Sequence, residues 1–317
     1  LPWDLPGATR RFMARFQPQM LVLLETELWP NLLRACQRSH CKVVLANARL
    51  SEKSLRGYQR FAGFSNSMLQ ALALVAAQSE ADGSRLVELG LHPELLVING
   101  SLKFDVAMNK EQLDRAEHIK AAWQGRPVWI AASTRDGEDL PVLQAFLTLL
   151  QRLPQALLIL VPRHPERFML AGKHALAQGL KVQYFSHGVE VAADTQVLVG
   201  DTMGEMMLYY TLADVAFVGG SLVPRGCQNI IEPAALGLPV LTGPSLFNFQ
   251  KVSELLCAAG GMQVINNPQE LAVSLERLLT DAKLQAAMGA KARQEVLQNQ
   301  GSAVRLNRLL DELLQQS

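Results

Sequence analysis

The densest chemistry of the chain lies between Asp214 and Gln250. An apolar run, Val215 to Val218, leads into Gly219-Gly220-Ser221. A polar loop follows, and Asn229-Ile230-Ile231-Glu232 opens a helix; a second apolar run, Pro239 to Thr242, ends in Gly243-Pro244. Glycine lets a backbone approach a ligand closely. A helix that starts soon after a strand offers unpaired N–H groups and the positive end of its dipole to phosphate. A carboxylate one turn into that helix, Glu232, can accept two sugar hydroxyls. Together these parts suit a nucleotide-sugar pocket, while the same spacing also describes an ordinary strand–turn–helix unit.

Further candidates fall after other apolar runs. Leu160-Val161-Pro162-Arg163-His164-Pro165-Glu166-Arg167 puts two arginines and a histidine where a strand ends. Arginine binds phosphate bidentately; the alternative is a solvated loop with Arg–Glu pairs. Gly200-Asp201-Thr202-Met203-Gly204-Glu205 can line a base or phosphate, or Asp201 and Thr202 simply cap a helix. Ser133-Thr134-Arg135-Asp136-Gly137-Glu138 offers either an anion nest or a self-capped helix start. Glu25 and Glu27, in Glu25-Thr26-Glu27-Leu28-Trp29-Pro30, can steady a cationic transition state or an acceptor hydroxyl, or cap the helix near Pro30. Lys103, in Gly100-Ser101-Leu102-Lys103-Phe104-Asp105, can meet a leaving phosphate or a carboxylate, or be a surface lysine. Arg10, Arg11 and Arg15 interleave with Phe12, Met13 and Phe16, and Lys53, Arg56 and Arg60 with Tyr58 and Phe61. Such faces suit anionic headgroups, or are ordinary amphipathic helices. Cys41 beside His40 has the residue types of a nucleophile pair, or is a small buried thiol beside a surface histidine. Metal ligands do not cluster, and no Walker A, HExxH, GxSxG or GxGxxG pattern occurs.

The elements that must position these residues are short apolar runs alternating with amphipathic segments. Strands are expected at 20–24, 42–47, 74–78, 95–99, 128–133, 156–161, 181–185, 195–199, 215–218, 240–242 and 262–264, with helices between most of them. This predicts an α/β chain of parallel, doubly wound sheets covered on both faces. A domain is expected over 1–105 and another over 106–317, the latter ending in charged helices. The polar stretch from Asp105 to Gln124 is expected to hold the linker. Ligands of such folds sit at the carboxyl ends of strands. The 317 residues suffice for two domains, and 30 Lys plus Arg against 29 Asp plus Glu argue against a nucleic-acid binder. Four cysteines in no metal spacing suggest a reducing compartment. No apolar run has membrane-span length. Because the chain opens at Leu1 and soon enters a buried strand, its N-terminal domain is expected to be incomplete.

In order and spacing, ETELWPN at Glu25, ANARLS at Ala46, GSLKFD at Gly100, LVPRHPERF at Leu160, VGDTMGEM at Val199, FVGGSLV at Phe217, the Asn229-to-Glu232 quartet and GPSLFNFQ at Gly243 resemble the 3-deoxy-D-manno-octulosonic acid (Kdo) transferases. The resemblance covers essentially the whole chain. It implies a GT-B glycosyltransferase, with two Rossmann-like domains facing a cleft and the donor nucleotide in the C-terminal one. It further implies inverting, metal-independent transfer of Kdo from CMP-Kdo to lipid IVA, without a cofactor, at the cytoplasmic face of the inner membrane. On that resemblance, CMP is held by Pro162 and Arg163, by Met203, Gly204 and Glu205, and by Asn229, Ile230, Ile231 and Glu232. Glu25 and Lys103 match positions of transition-state support. The family's general base, a glutamate in a Ser-Val-Gly-Glu-like turn, and its membrane-associated segment would precede Leu1, so the fragment alone is expected to be inactive. Gly226-Cys227-Gln228 departs from the family's Gly-Gly-His, and Gln228 cannot titrate as histidine does. A UDP-sugar epimerase-like enzyme and a non-catalytic nucleotide-binding module are the alternative readings.

Overall fold

The computed structural model describes residues 1–107, 110–123, 125–188 and 190–315. Its strands are β1 Met20–Leu24, β2 Lys42–Ala48, β3 Leu74–Ala77, β4 Leu96–Ile98, β5 Val128–Thr134, β6 Leu157–Pro162, β7 Val182–Tyr184, β8 Val197–Val199, β9 Val215–Val218, β10 Val240–Thr242 and β11 Met262–Val264. Every expected strand is present, with its ends within two residues of expectation.

Two compact units result. Residues 1–105 with 299–317 form the first, and 106–298 the second. In the first unit β1 to β4 lie side by side in chain order, all parallel. In the second the parallel order is β11-β10-β9-β5-β6-β8-β7. β5 is central and buried at every position. Its alternate residues feed two cores. Trp129 and Ala131 pack with Phe146, Leu160 and Phe217, and Ile130 and Ala132 with Ile159, Tyr209 and Tyr210. Coverage of both faces is why these strands read as unbroken apolar runs rather than alternating ones. From β5 the chain moves to β6 on one side; from β9 it moves to β10 on the other. The carboxyl ends of β5 and β9 therefore flank the point where the winding reverses, where open α/β sheets place ligands.

The division after Asp105 falls where it was expected, while two details of the expected organisation differ. The stretch read as a linker contains the helix Lys110–Ala122, which belongs to the second unit. Ala116 and Ile119 enter the core beside Ile130, and Lys120 pairs with Asp214 at 2.8 Å. Met108, Asn109 and Gln124 of that stretch lie outside the described residues, as do Gln316 and Ser317. The last helix, Ser302–Gln315, belongs to the first unit instead of the C-terminal domain. Asp105 accepts the N–H groups of Gly301 and Ala303, each at 2.6 Å, and so caps this helix from the far end of the sequence. Leu306 then packs on Ala46 and Ala76.

Candidate functional site

β5 ends in a bulge: its register with β6 shifts between Ala132 and Thr134, and Ser133 takes a left-handed φ of 56°. The bulge turns the chain so that Glu138, wholly buried, faces the loop after β9. Its carboxylate accepts four backbone N–H groups, from Arg135 at 2.8 Å, Gly220 at 2.6 Å, Ser221 at 3.0 Å and Leu222 at 2.9 Å. Glycine is required here. A Cβ at 219 would sit 2.7 Å from Thr134 Cα, and Gly220 has φ 72°. The anion nest expected at 133–138 and the Gly-Gly loop expected to meet phosphate are thus one structure, and its anion is Glu138. The loop is locked in shape and does not offer these N–H groups to a ligand.

The β6 motif divides in a similar way. Arg167 turns inward, its side chain 11% exposed, and donates to Asp139 Oδ2 at 2.6 Å. Asp139 also accepts Thr134 Oγ1 at 3.0 Å and lies 3.4 Å from His174 Nδ1. Arg163 is exposed; its backbone N–H donates to Thr134 O at 3.0 Å, which ties the end of β6 to β5. Of the two arginines expected to share a phosphate, Arg167 is committed to Asp139 and Arg163 is exposed. His164 Nε2 lies 2.6 Å from Arg135 Nη1.

After β8, Asp201 holds Ser186 through its N–H at 2.8 Å and its hydroxyl at 2.6 Å. Thr202 Oγ1 donates to Glu205 at 2.5 Å, and Arg115 pairs with the same carboxylate. Met203, 65% exposed, and Gly204, with φ 81° and open space around its Cα, form the tip. The polar base of this loop is internally satisfied, and its exposed backbone is what remains for a ligand.

The helix expected to open at Asn229 is short, Ile231–Ala235. Its first N–H is taken by Asn229 Oδ1 at 3.0 Å. Ile230 and Ile231 are fully buried, so their side chains belong to the core. Glu232 is the available carboxylate. Burial raises its pKa from 4.5, opposed by the Asn229 hydrogen bond and the Arg163 charge. Arg163 after β6 and Asn229 and Glu232 at the start of this helix thus share one electrostatic neighbourhood. Tyr210 is pushed well above its usual value by burial and by Glu232.

In the first unit Glu25 follows β1 with a left-handed φ of 61°, and Asn47 near the end of β2 has φ 53°. Glu25 N–H donates to Ala46 O at 2.9 Å, and Asn47 Oδ1 accepts Leu102 N–H at 3.1 Å. These bonds gather the backbones of Glu25, Asn47 and the turn Leu102–Phe104, with Lys103, at the carboxyl edge of this sheet. Glu25 lies 3.6 Å from Arg49, both half-exposed. Left-handed non-glycine residues collect at functional sites. Asn47, Arg115 and Glu138 were not singled out from sequence; Asn47 in ANARLS and Glu138 in the β5 turn lie in segments that were. Cys36 and Cys41 are buried, and burial raises the Cys36 thiol to about 12, so the nucleophile reading of Cys41 beside His40 finds no activated thiol.

The family profile of 3-deoxy-D-manno-octulosonic-acid transferase (kdotransferase) matches residues 1–106. The chain is 38% identical to the 3-deoxy-D-manno-octulosonic acid transferase of Haemophilus influenzae, over 100% of this chain and 75% of that protein. To the Bordetella pertussis enzyme of the same name it is 44% identical, over 82% of this chain and 61% of that one. The crystal structure of the C-terminal CMP-Kdo binding domain of WaaA from Acinetobacter baumannii superposes with TM-score 0.57 at 32% identity, covering 60% of this chain and all of that domain. A glycosyltransferase from Rickettsia africae matches at TM-score 0.61 and 14% identity over 98% of this chain and 80% of that one, a likeness of fold alone. The chain belongs to the Kdo transferase family, glycosyltransferases of the GT-B fold.

Proposed function

We propose that this chain binds CMP-Kdo in its second unit and that the whole protein transfers Kdo, with inversion, to lipid IVA, releasing CMP. The observation that carries the reading is the neighbourhood of Arg163 and Glu232 in a unit whose relative is a CMP-Kdo binding domain. Arg163 meets the phosphate, and Glu232 takes the ribose hydroxyls. Pro162 and the backbone of Met203 and Gly204 line the nucleotide, Glu205 holds that loop through Thr202, and Asn229 orients Glu232. In the transfer a hydroxyl of lipid IVA attacks the anomeric carbon from the face opposite CMP, its proton passing to a general base. The bond from that carbon to the phosphate oxygen breaks, and the electron pair leaves with CMP. Arg163 stabilises the charge that grows on the phosphate. Glu25 and Lys103 support the transition state from the first unit.

Transfer is attributed to the whole protein, since the chain spans 75% of one curated relative and 61% of another. Donor binding is the part of the reaction that residues 106–298 carry. We place the reaction at the cytoplasmic face of the inner membrane, where the acceptor's lipid portion resides. No helix among the described residues is long and apolar enough to cross a membrane. In the full-length enzyme Arg163→Ala should lower turnover about a hundredfold, the effect of removing one donor to a developing anion. Near-normal turnover contradicts the assignment.

A further inference from the structure

Arg135 differs in its partners from Arg115 and Arg167 of the second unit. Arg115 and Arg167 each face a carboxylate. Among the described residues Arg135 has no carboxylate partner within ion-pair distance; its guanidinium meets His164 Nε2 at 2.6 Å, and its Nε is buried without a partner. A guanidinium has only donors, so Nε2 is the acceptor and His164 orients the arginine without neutralising it. The neighbouring acids are committed elsewhere. Glu138 is filled by four N–H groups, and Asp136 points to solvent with Arg167 as its nearest cation. The backbone of Arg135 is fixed by its own N–H to Glu138 and by the bulge at Ser133. A cation thus stands at the winding reversal with no carboxylate among the described residues within ion-pair distance of it.

We infer that Arg135 binds the carboxylate of the donor's sugar acid, beside the phosphate at Arg163. The inference rests on the donor proposed above. A 2-ulosonic acid linked to CMP carries two anions, the phosphodiester and the carboxylate, and both are attached to the anomeric carbon. Two anions so close together call for two cations on adjacent strands. Parallel neighbours in a sheet lie about 4.8 Å apart. Arg135 follows the end of β5 and Arg163 the end of β6, and the bond from Arg163 N–H to Thr134 O, 3.0 Å long, ties the two strand ends together. Arg163 therefore reads the nucleotide, and Arg135 reads the acid function that distinguishes this sugar from a neutral one.

The test is calorimetric titration of this chain with CMP and with CMP-Kdo, for the wild type, Arg135→Gln and Arg135→Lys. Wild type should bind CMP-Kdo about tenfold or more tightly than CMP, the gain expected of one charge-assisted bidentate contact. Arg135→Gln should keep the CMP affinity within about threefold while the two ligands become equal within about twofold. Arg135→Lys, which retains the charge without the fork, should recover part of the preference. A damaged fold would weaken both ligands together, so parallel loss in Arg135→Gln overturns the inference, as does an unchanged preference. Wild type that binds neither ligand overturns the donor assignment itself, and this inference with it.

Discussion

The carboxyl edges of the two sheets are built on different principles. In the second unit two acids that follow β5, Glu138 and Asp139, are buried and consumed by the protein's own N–H groups, hydroxyl and guanidinium. In the first unit Glu25 remains half-exposed, and its neighbourhood is held by left-handed backbone at Glu25 and Asn47. One edge spends two of its acids internally and leaves cations for a ligand; the other leaves the acid Glu25 half-exposed. A charged residue after a strand is therefore a weak sign of ligand contact until its burial is known. Arg163 and Arg167 make the same point within one motif.

This contrast can be broken experimentally, beginning with the largest effect. Glu138→Ala leaves four N–H groups, two buried and two part-buried, without an acceptor and should cost about 4 kcal/mol, lowering the melting temperature by about 10 °C. A loss below about 1 kcal/mol in calorimetry contradicts the lock. Asn47→Ala loses the acceptor for Leu102 N–H and puts a Cβ residue less tolerant of left-handed φ at that position. Denaturant titration should show about 2 kcal/mol of destabilisation, and Asn47→Gly less.

Glu232→Gln should weaken CMP about tenfold while leaving the unit no less stable at neutral pH. The sign follows from its pKa, which is raised in the fold, first by burial. Its contribution to stability is fully present below the ordinary value of 4.5 and is lost as pH rises through the raised one. The charged form at pH 7 thus opposes folding, and melting curves between pH 4 and 8 should be flatter for Glu232→Gln than for wild type. The smallest effect is expected at Arg49→Gln. Its contact with Glu25 at 3.6 Å is solvent-exposed, so stability should change by less than about 0.5 kcal/mol. A larger loss by denaturant titration would show that the first edge, too, relies on internal charge pairing.

Much of the fold was legible because covered parallel strands leave a periodic apolar signal, and all the expected strands recur. Motif order singles out the segments of Arg163 and Glu232, and the two side chains act on one another electrostatically. What was not legible depended on contacts between distant segments. Asp105 capping the helix at Ser302 joins positions that no local pattern connects. In sequence the turn after β5 fits either an anion nest or a self-capped start, and the filling of the β9 loop by Glu138 appears only once those two strands are neighbours. Helix Lys110–Ala122 looked like a linker because it is polar along much of its length, yet Ala116 and Ile119 suffice to seat it.

The central claim is that the second unit is a CMP-sugar site centred on Arg163 and Glu232. Calorimetric titration of the chain with CMP, UMP and UDP, repeated on Arg163→Ala, tests it most directly. The account predicts selective CMP binding by wild type and a loss of about tenfold or more in Arg163→Ala. A preference for UDP, or CMP binding untouched by loss of Arg163, would contradict it.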